Sequence, residues 1–135
     1  MSETVLYDER VTAVADARVD GVRLWMSATS LEQATGWKLE PQGLCRGETC
    51  VPTQTGWVDN EGAVDLSAVA QHLGQPVVRN SASNVWSFGE SVNARRDQMM
   101  SVQAPDFSLP DLDGTQRTLA EFRGKKVFLF SWGSY

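Results

Sequence analysis

Residues 104–135 read APDFSLPDLDGTQRTLAEFRGKKVFLFSWGSY, and several local structural signals follow one another along them. Apolar and polar residues alternate over Phe107–Leu109, which is typical of an edge strand. Asp113-Gly114 predicts a turn, and the composition of Leu119–Phe122 favours a short helical turn. Val127–Phe130 is a continuous apolar run, and such a run predicts a central strand that is buried on both faces.

This succession of strand, turn, helical turn and strand resembles the opening of the thioredoxin-like redoxin family, which includes the alkyl hydroperoxide reductase and thiol-specific antioxidant proteins. In that family the central strand ends in a Trp-x-Ser-x pattern, and Trp132-Gly133-Ser134-Tyr135 matches it. The resemblance implies a reactive cysteine at the start of the next helix, where free backbone amides and the helix dipole stabilise a thiolate. That position would follow Tyr135, so we expect an incomplete thioredoxin-like fold.

Three explanations of this ending are open at the level of sequence. The chain is a cloned fragment, or it is a truncated gene product, or the codon after Tyr135 is a UGA that encodes selenocysteine. The third explanation is motivated by the position of the break, which coincides with that of the family's nucleophile. The nucleotides downstream of Tyr135 distinguish the three.

The remainder of the chain predicts a separate module, and the overall fold class is α/β. Composition shifts over Ser101–Gln103, which divides an α+β module at residues 1–100 from the redoxin-like segment at residues 104–135. Asp20-Gly21 predicts a hairpin turn between two extended runs. The periodicity of the following residues alternates between that of short strands and that of helices.

Three helices are predicted in residues 1–100. We expect Ser30 to cap a short helix that Gly36 closes, and Asp65 to precede an amphipathic helix over Leu66–Leu73. The third helix is predicted over Glu90–Met100, although its apolar face is weak. Tryptophans fill the core of most small domains, so we expect those of this chain to be buried; they lie at positions 25, 37, 57, 86 and 132.

Both cysteines of the chain, Cys45 and Cys50, lie in a stretch that Pro41 and two glycines predict to be irregular. Their spacing and the glycine between them are compatible with a disulfide. Arg46 would favour a thiolate nearby and Glu48 would oppose it. Three interpretations stay open, namely a redox-active pair, two unrelated half-buried thiols, and a metal-binding pair.

A structural zinc site needs four ligands, and beside the two cysteines the chain has a single histidine, His72. Its position beside the apolar face of the predicted second helix favours a surface or helix-terminal role. We therefore predict no cofactor and no metal site.

The module with its Cys-Arg-Gly-Glu-Thr-Cys loop resembles an accessory domain that redoxin-type proteins carry ahead of the thioredoxin fold. The resemblance implies a thiol- or selenol-dependent oxidoreductase of peroxiredoxin-like type, which reduces a peroxide or a disulfide and is regenerated by a thiol reductant. Cys45 and Cys50 are then candidates for the second, resolving thiol. The alternative is a non-catalytic binding module that captures a thiophilic ligand or metal through Cys45 and Cys50.

Charge and hydropathy indicate which kinds of partner the protein binds and in which cellular compartment it lies. The net charge of -5 argues against a nucleic-acid binder, because phosphate binding requires clustered Lys and Arg. No apolar run approaches the roughly 20 residues that span a bilayer, so no membrane association is expected. The first ten residues lack the basic and apolar regions of a secretory signal. These features together predict a cytoplasmic protein.

Overall fold

The computed structural model describes residues 2–133. The chain divides into two compact units, Met1–Asp97 and Gln98–Tyr135. The strands of the first unit are β1 (Glu3–Tyr7), β2 (Arg10–Val14), β3 (Arg18–Asp20), β4 (Arg23–Met26), β5 (Lys38–Glu40), β6 (Gly43–Arg46), β7 (Thr49–Val51), β8 (Val64–Asp65), β9 (Val77–Asn80) and β10 (Val85–Phe88). The helices are α1 (Ala28–Thr35), α2 (Leu66–His72) and α3 (Val92–Met100). This mixture of helices and strands confirms the predicted α/β class.

Three small sheets build the first unit. The largest has the order β2-β1-β10-β9, and β1 pairs with β10 in parallel. Because β1 and β10 come from the two ends of the unit, their pairing closes it into one body. The second sheet has the order β3-β4-β8, and it contains the predicted hairpin with its turn at Gly21. The third, β5-β6-β7, is antiparallel throughout.

The core of the first unit is aromatic and aliphatic, as its tryptophans predict. Trp25, Trp37, Trp57 and Trp86 are all buried. Two of the buried indole N–H groups donate hydrogen bonds. Trp37 Nε1 donates to Tyr7 Oη, and Trp86 Nε1 donates to Glu3 Oε2. The expectation for the fifth tryptophan is wrong, because 77% of Trp132 is exposed.

Helix α1 begins three residues earlier than the sequence indicates. The predicted cap, Ser30, lies inside the helix, and Ser27 is the N-cap because its backbone is extended and its side chain accepts from the backbone N–H of Ser30. Asp16 reinforces this start by accepting from Ser27 N and Ser30 Oγ. Burial alone would raise the pKa of Asp16, but these hydrogen bonds outweigh it and lower the pKa. Gly36 ends the helix in the left-handed conformation, as predicted.

Helix α2 begins at the predicted residue. Asp65 is its N-cap and accepts from the backbone N–H groups of Ser67 and Ala68. Its carboxylate is buried and lies 3.2 Å from Arg23 Nε. The predicted third helix corresponds to α3. His72 is exposed at the end of α2 and packs edge-on against Trp57 with ring centroids 5.2 Å apart, which fits the helix-terminal role.

The second unit contains β11 (Ser108–Pro110) and β12 (Gln116–Thr118), which pair as a hairpin, and a 3₁₀ turn over Leu119–Phe122. The predicted edge strand, turn and helical turn are therefore present. The predicted central strand over Val127–Phe130 is wrong, because these residues have no regular structure and are more than half exposed. A strand needs neighbours for its backbone hydrogen bonds, and no described strand pairs with this run.

Ser134 and Tyr135, the last two residues of the Trp-x-Ser-x match, lie outside the described residues, and so does the position predicted to follow them. Within residues 2–133, no helix combines the length and the apolar character needed to cross a membrane.

The stretch that carries the cysteines is regular, so the prediction of irregular backbone there is also wrong. Gly43 is the first residue of β6, directly after the turn that joins β5 to β6, and Gly47 lies in the turn that joins β6 to β7. Gly43 has a φ of 139°, and a Cβ atom on it would overlap the carbonyl oxygen of Val51. The glycines that suggested a loop are therefore the residues that allow three short strands to pair closely.

Gly43 and Gly47 differ in how closely other backbone approaches them, and substitution of each by alanine tests this difference. Gly43→Ala is expected to lower the free energy of unfolding by about 3 kcal/mol, because the methyl group meets backbone that cannot move away. Gly47→Ala is the matched control, since Gly47 also has a positive φ but has open space around it; its cost is expected to be about 1 kcal/mol. Urea denaturation of the two variants measures the difference, and equal costs would contradict the proposed close approach.

Candidate functional site

The register of the β5-β6-β7 sheet places Cys45 and Cys50 directly opposite each other. Cys45 pairs with Cys50 across β6 and β7, and Lys38 pairs with Cys45 across β5 and β6. Lys38, Cys45 and Cys50 therefore form one row across the sheet. Because directly opposite residues in antiparallel strands project to the same side, the three side chains share one face.

Burial shows that this face points away from the core. The neighbouring row consists of Leu39, Leu44 and Val51, all of which pack in or against the core cluster. Side chains alternate along each strand, so the row that contains the cysteines is directed outward. Cys50 is accordingly exposed on the edge strand β7, and Cys45 is half-buried on the central strand β6.

The two cysteines form a disulfide with a Cα–Cα distance of 4.0 Å. The structure thus brings together both predicted site residues, while their redox role stays a prediction. No group of three or more metal-ligating His, Cys, Asp or Glu side chains occurs within residues 2–133.

The opposite face of the same sheet borders a cleft of about 490 Å³. The row that contains Trp37, Arg46 and Thr49 faces this cleft together with Tyr7 and Asp8. Arg46 forms an ion pair with Asp8 at 2.5 Å, and its guanidinium lies 5.6 Å from the centre of the Tyr7 ring. The expectation that Arg46 favours a nearby thiolate is therefore wrong, because its charge is engaged on the side of the sheet away from the sulfur atoms.

The hydroxyl group of Tyr7 connects the third sheet to the rest of the unit. It accepts from Trp37 Nε1 at 2.9 Å and donates to Gln75 Oε1 at 3.0 Å, and Gln75 in turn donates to the carbonyl of Gly89. Burial raises the pKa of Tyr7, and its hydrogen bonds with Trp37 and Gln75 offset only part of that effect. The neutral hydroxyl is thus the form that the folded protein holds.

Lys38 is a site residue that the sequence analysis missed. The signal that identifies it is the strand register, which places a lysine side chain across from Cys45. That signal was hidden because Pro41, Gly43 and Gly47 indicated an irregular segment, in which no register exists. Lys38 Nζ also lies 3.4 Å from Glu32 Oε1 on helix α1.

One short segment relates the chain to a known protein. It is 53% identical over 32 residues to the thiol-disulfide oxidoreductase ResA of Geobacillus thermodenitrificans (strain NG80-2), a match that covers 24% of this chain. The segment indicates a thioredoxin-like relationship for about a quarter of the chain. The match spans only 18% of the length of that relative. No protein-family model and no solved structure matches the chain.

The hydroxyl network yields the second prediction. Tyr7→Phe removes the acceptor of Trp37 Nε1 and the donor to Gln75, and leaves buried polar groups without partners. The expected loss of unfolding free energy is about 1 to 3 kcal/mol, measured by urea denaturation.

The same substitution has a pH signature. Because the folded-state pKa of Tyr7 is raised, its contribution to stability is present below about pH 10 and is lost as the pH rises through the folded-state value. The stability difference between wild type and Tyr7→Phe should therefore shrink above about pH 10. A difference that is independent of pH up to unfolding would contradict this role of the hydroxyl group.

Proposed function

We propose that the chain exchanges electrons with dithiol proteins through the Cys45–Cys50 pair, as a thiol–disulfide oxidoreductase. The observation that carries the proposal is the position of a disulfide between two directly paired residues on the outward face of a sheet, with one sulfur on the exposed edge strand. Exposed disulfides are the ones that act as labile, regulatory or catalytic bonds. The short identity to a thiol-disulfide oxidoreductase supports the same class of chemistry.

A purely structural role explains the bond less well. In the chain-entropy model a disulfide that closes so short a loop stabilises the protein by about 2 kcal/mol. The strands that it joins are already paired through their backbones, and a short turn that contains Gly47 connects them. A position facing the core would have protected a structural bond, whereas this pair faces solvent.

The exchange proceeds in two balanced displacements. The thiolate of an incoming dithiol attacks one sulfur of the Cys45–Cys50 bond, so that a mixed disulfide forms and the other cysteine leaves as a thiolate. The second thiol of the partner, as its thiolate, then attacks the partner's own sulfur and releases the second cysteine. The partner is oxidised to a disulfide, and Cys45 and Cys50 together gain two electrons and two protons.

The redoxin-like segment at residues 104–135 is the basis for a more specific proposal about the reaction. We propose that residues 104–135 belong to a thioredoxin-like domain whose reactive thiol or selenol reduces a peroxide or a disulfide, and that residues 1–100 form its accessory domain. With a peroxide, a thiolate attacks one oxygen, the O–O bond breaks and the other oxygen leaves as an alcohol or water. A second thiol then displaces water from the resulting sulfenic acid and forms a disulfide. The reduced Cys45 and Cys50 would then reduce that disulfide by exchange and would themselves be oxidised to their own disulfide.

A third prediction tests the exchange. Oxidised protein that has been mixed with excess reduced thioredoxin, a dithiol protein, and then separated from it is expected to have gained two free thiols per chain, counted with a thiol-specific chromophore and confirmed by a mass increase of two hydrogen atoms. Cys45→Ser and Cys50→Ser each leave one cysteine, so neither should form the internal disulfide or accept the electron pair. The double variant controls for thiols contributed by impurities.

Two outcomes would overturn the proposal. A disulfide that remains oxidised in the presence of thioredoxin indicates a structural bond. Reduced protein that retains a stoichiometric soft metal ion, and loses it in the double variant, supports the alternative of a capture module that uses Cys45 and Cys50.

A further inference from the structure

We propose that the two sulfur atoms have different roles, with Cys50 as the sulfur that the incoming thiolate attacks and Cys45 as the leaving thiolate, stabilised by Lys38 as a positioning residue. This inference rests on the proposed exchange function. It is carried by the order of the three strands, by the exposure of the two cysteines and by the position of one cation.

Access distinguishes the two sulfur atoms. A thiolate attacks a disulfide along the line of the S–S bond and expels the far sulfur. Cys50 lies on the edge strand β7 and is exposed, and no further strand pairs with β7 within the described residues. Attack on Cys45 would have to come from the opposite direction, over strand β5 and the side chain of Lys38.

Charge supports the same assignment. Lys38 lies directly opposite Cys45, and side chains in such pairs have Cβ atoms about 5 Å apart. A cation at this position favours the thiolate that forms when the S–S bond breaks. Cys50 lies one strand further from Lys38, so the cation stabilises the thiolate of Cys45 more strongly.

The other charged groups around Cys45 modulate this effect without reversing it. Glu40 shares the outward face but lies diagonally from Cys45, because it pairs with Gly43, and Glu48 lies in the turn between β6 and β7. Arg46 is engaged with Asp8 on the other face. Glu32 on α1 holds the ammonium of Lys38 and partly neutralises it. Removing the Glu32 charge should therefore strengthen the effect of Lys38 on Cys45.

In the proposed step, the attacking thiolate forms a bond to Cys50 Sγ while the bond between Cys50 Sγ and Cys45 Sγ breaks. The electron pair of the broken bond stays on Cys45, which becomes a thiolate beside Lys38. The reverse step, attack by the Cys45 thiolate on Cys50 Sγ of a mixed disulfide, reforms the bond and releases the partner.

The first experiment maps the attacked sulfur with a neutral small thiol. Oxidised wild-type protein is mixed briefly with 2-mercaptoethanol, quenched with N-ethylmaleimide and analysed by peptide mass spectrometry. We expect adducts of mercaptoethanol on Cys50 to exceed those on Cys45 by about fivefold or more, with maleimide on Cys45. Equal labelling, an excess on Cys45, or the absence of any disulfide in the starting protein would overturn the assignment.

The second experiment measures the influence of the cation. In reduced protein, the rate of iodoacetamide alkylation of Cys45 at pH 7 is expected to fall about threefold in Lys38→Met, with its pH profile displaced upward. Lys38→Arg should retain the wild-type profile, and Glu32→Gln should displace it downward. Arg79→Met, which removes a positive charge from strand β9 of the β2-β1-β10-β9 sheet, is the control and should leave Cys45 unchanged.

Opposite displacements in Lys38→Met and Glu32→Gln cannot arise from a general loss of structure. An unchanged pH profile in Lys38→Met would remove Lys38 from the mechanism. Because both experiments use small reagents, they remain informative even where thioredoxin fails to reduce the protein. In that case the exchange function is wrong while the assignment of the two sulfur atoms stands or falls by its own data.

Discussion

The close pairing of β5, β6 and β7 is the constraint on which the candidate site depends. Gly43 allows it, because a larger residue would overlap the carbonyl oxygen of Val51 at the point where the strands meet. Once this register is fixed, the alternation of side chains determines the face of the sheet on which each residue lies. Leu44 and Val51 must face the core, and Cys45 and Cys50 must face outward as a pair. A shift of one residue would bury the sulfur atoms and expose the leucine.

The two faces of this sheet carry different groups of side chains. On the inner face, the indole of Trp37 and the guanidinium of Arg46 tie the sheet to Tyr7 and Asp8 through a hydrogen bond and an ion pair. On the outer face, the sheet presents the disulfide between Cys45 and Cys50. We infer that the inner contacts keep the strands in place during exchange, so that Cys45 and Cys50 remain close enough to reform their bond.

Sequence signals predicted the features that depend on local chemistry. The turn at Gly21, the cap at Asp65 and the helix end at Gly36 each follow from one residue and its immediate neighbours, and the structure contains all three. The cysteine hairpin could not be predicted in this way, because Gly43 acts through a contact with Val51 that only tertiary pairing creates. The role of Lys38 was missed for the same reason. The run Val127–Phe130 has the composition of a buried strand, but composition does not provide the neighbouring strands that a sheet requires.

The reduction potential of the Cys45–Cys50 pair tests the central claim most directly. The protein is equilibrated in buffers of reduced and oxidised glutathione, quenched with acid and alkylated, and the oxidised fraction is read from its intact mass. An exchange site is expected to be half oxidised between about −180 and −300 mV, within the range of cellular dithiol proteins and glutathione. A pair that remains oxidised well below about −300 mV would be a structural disulfide, and a pair that never oxidises would have no part in exchange. Either result would contradict the account.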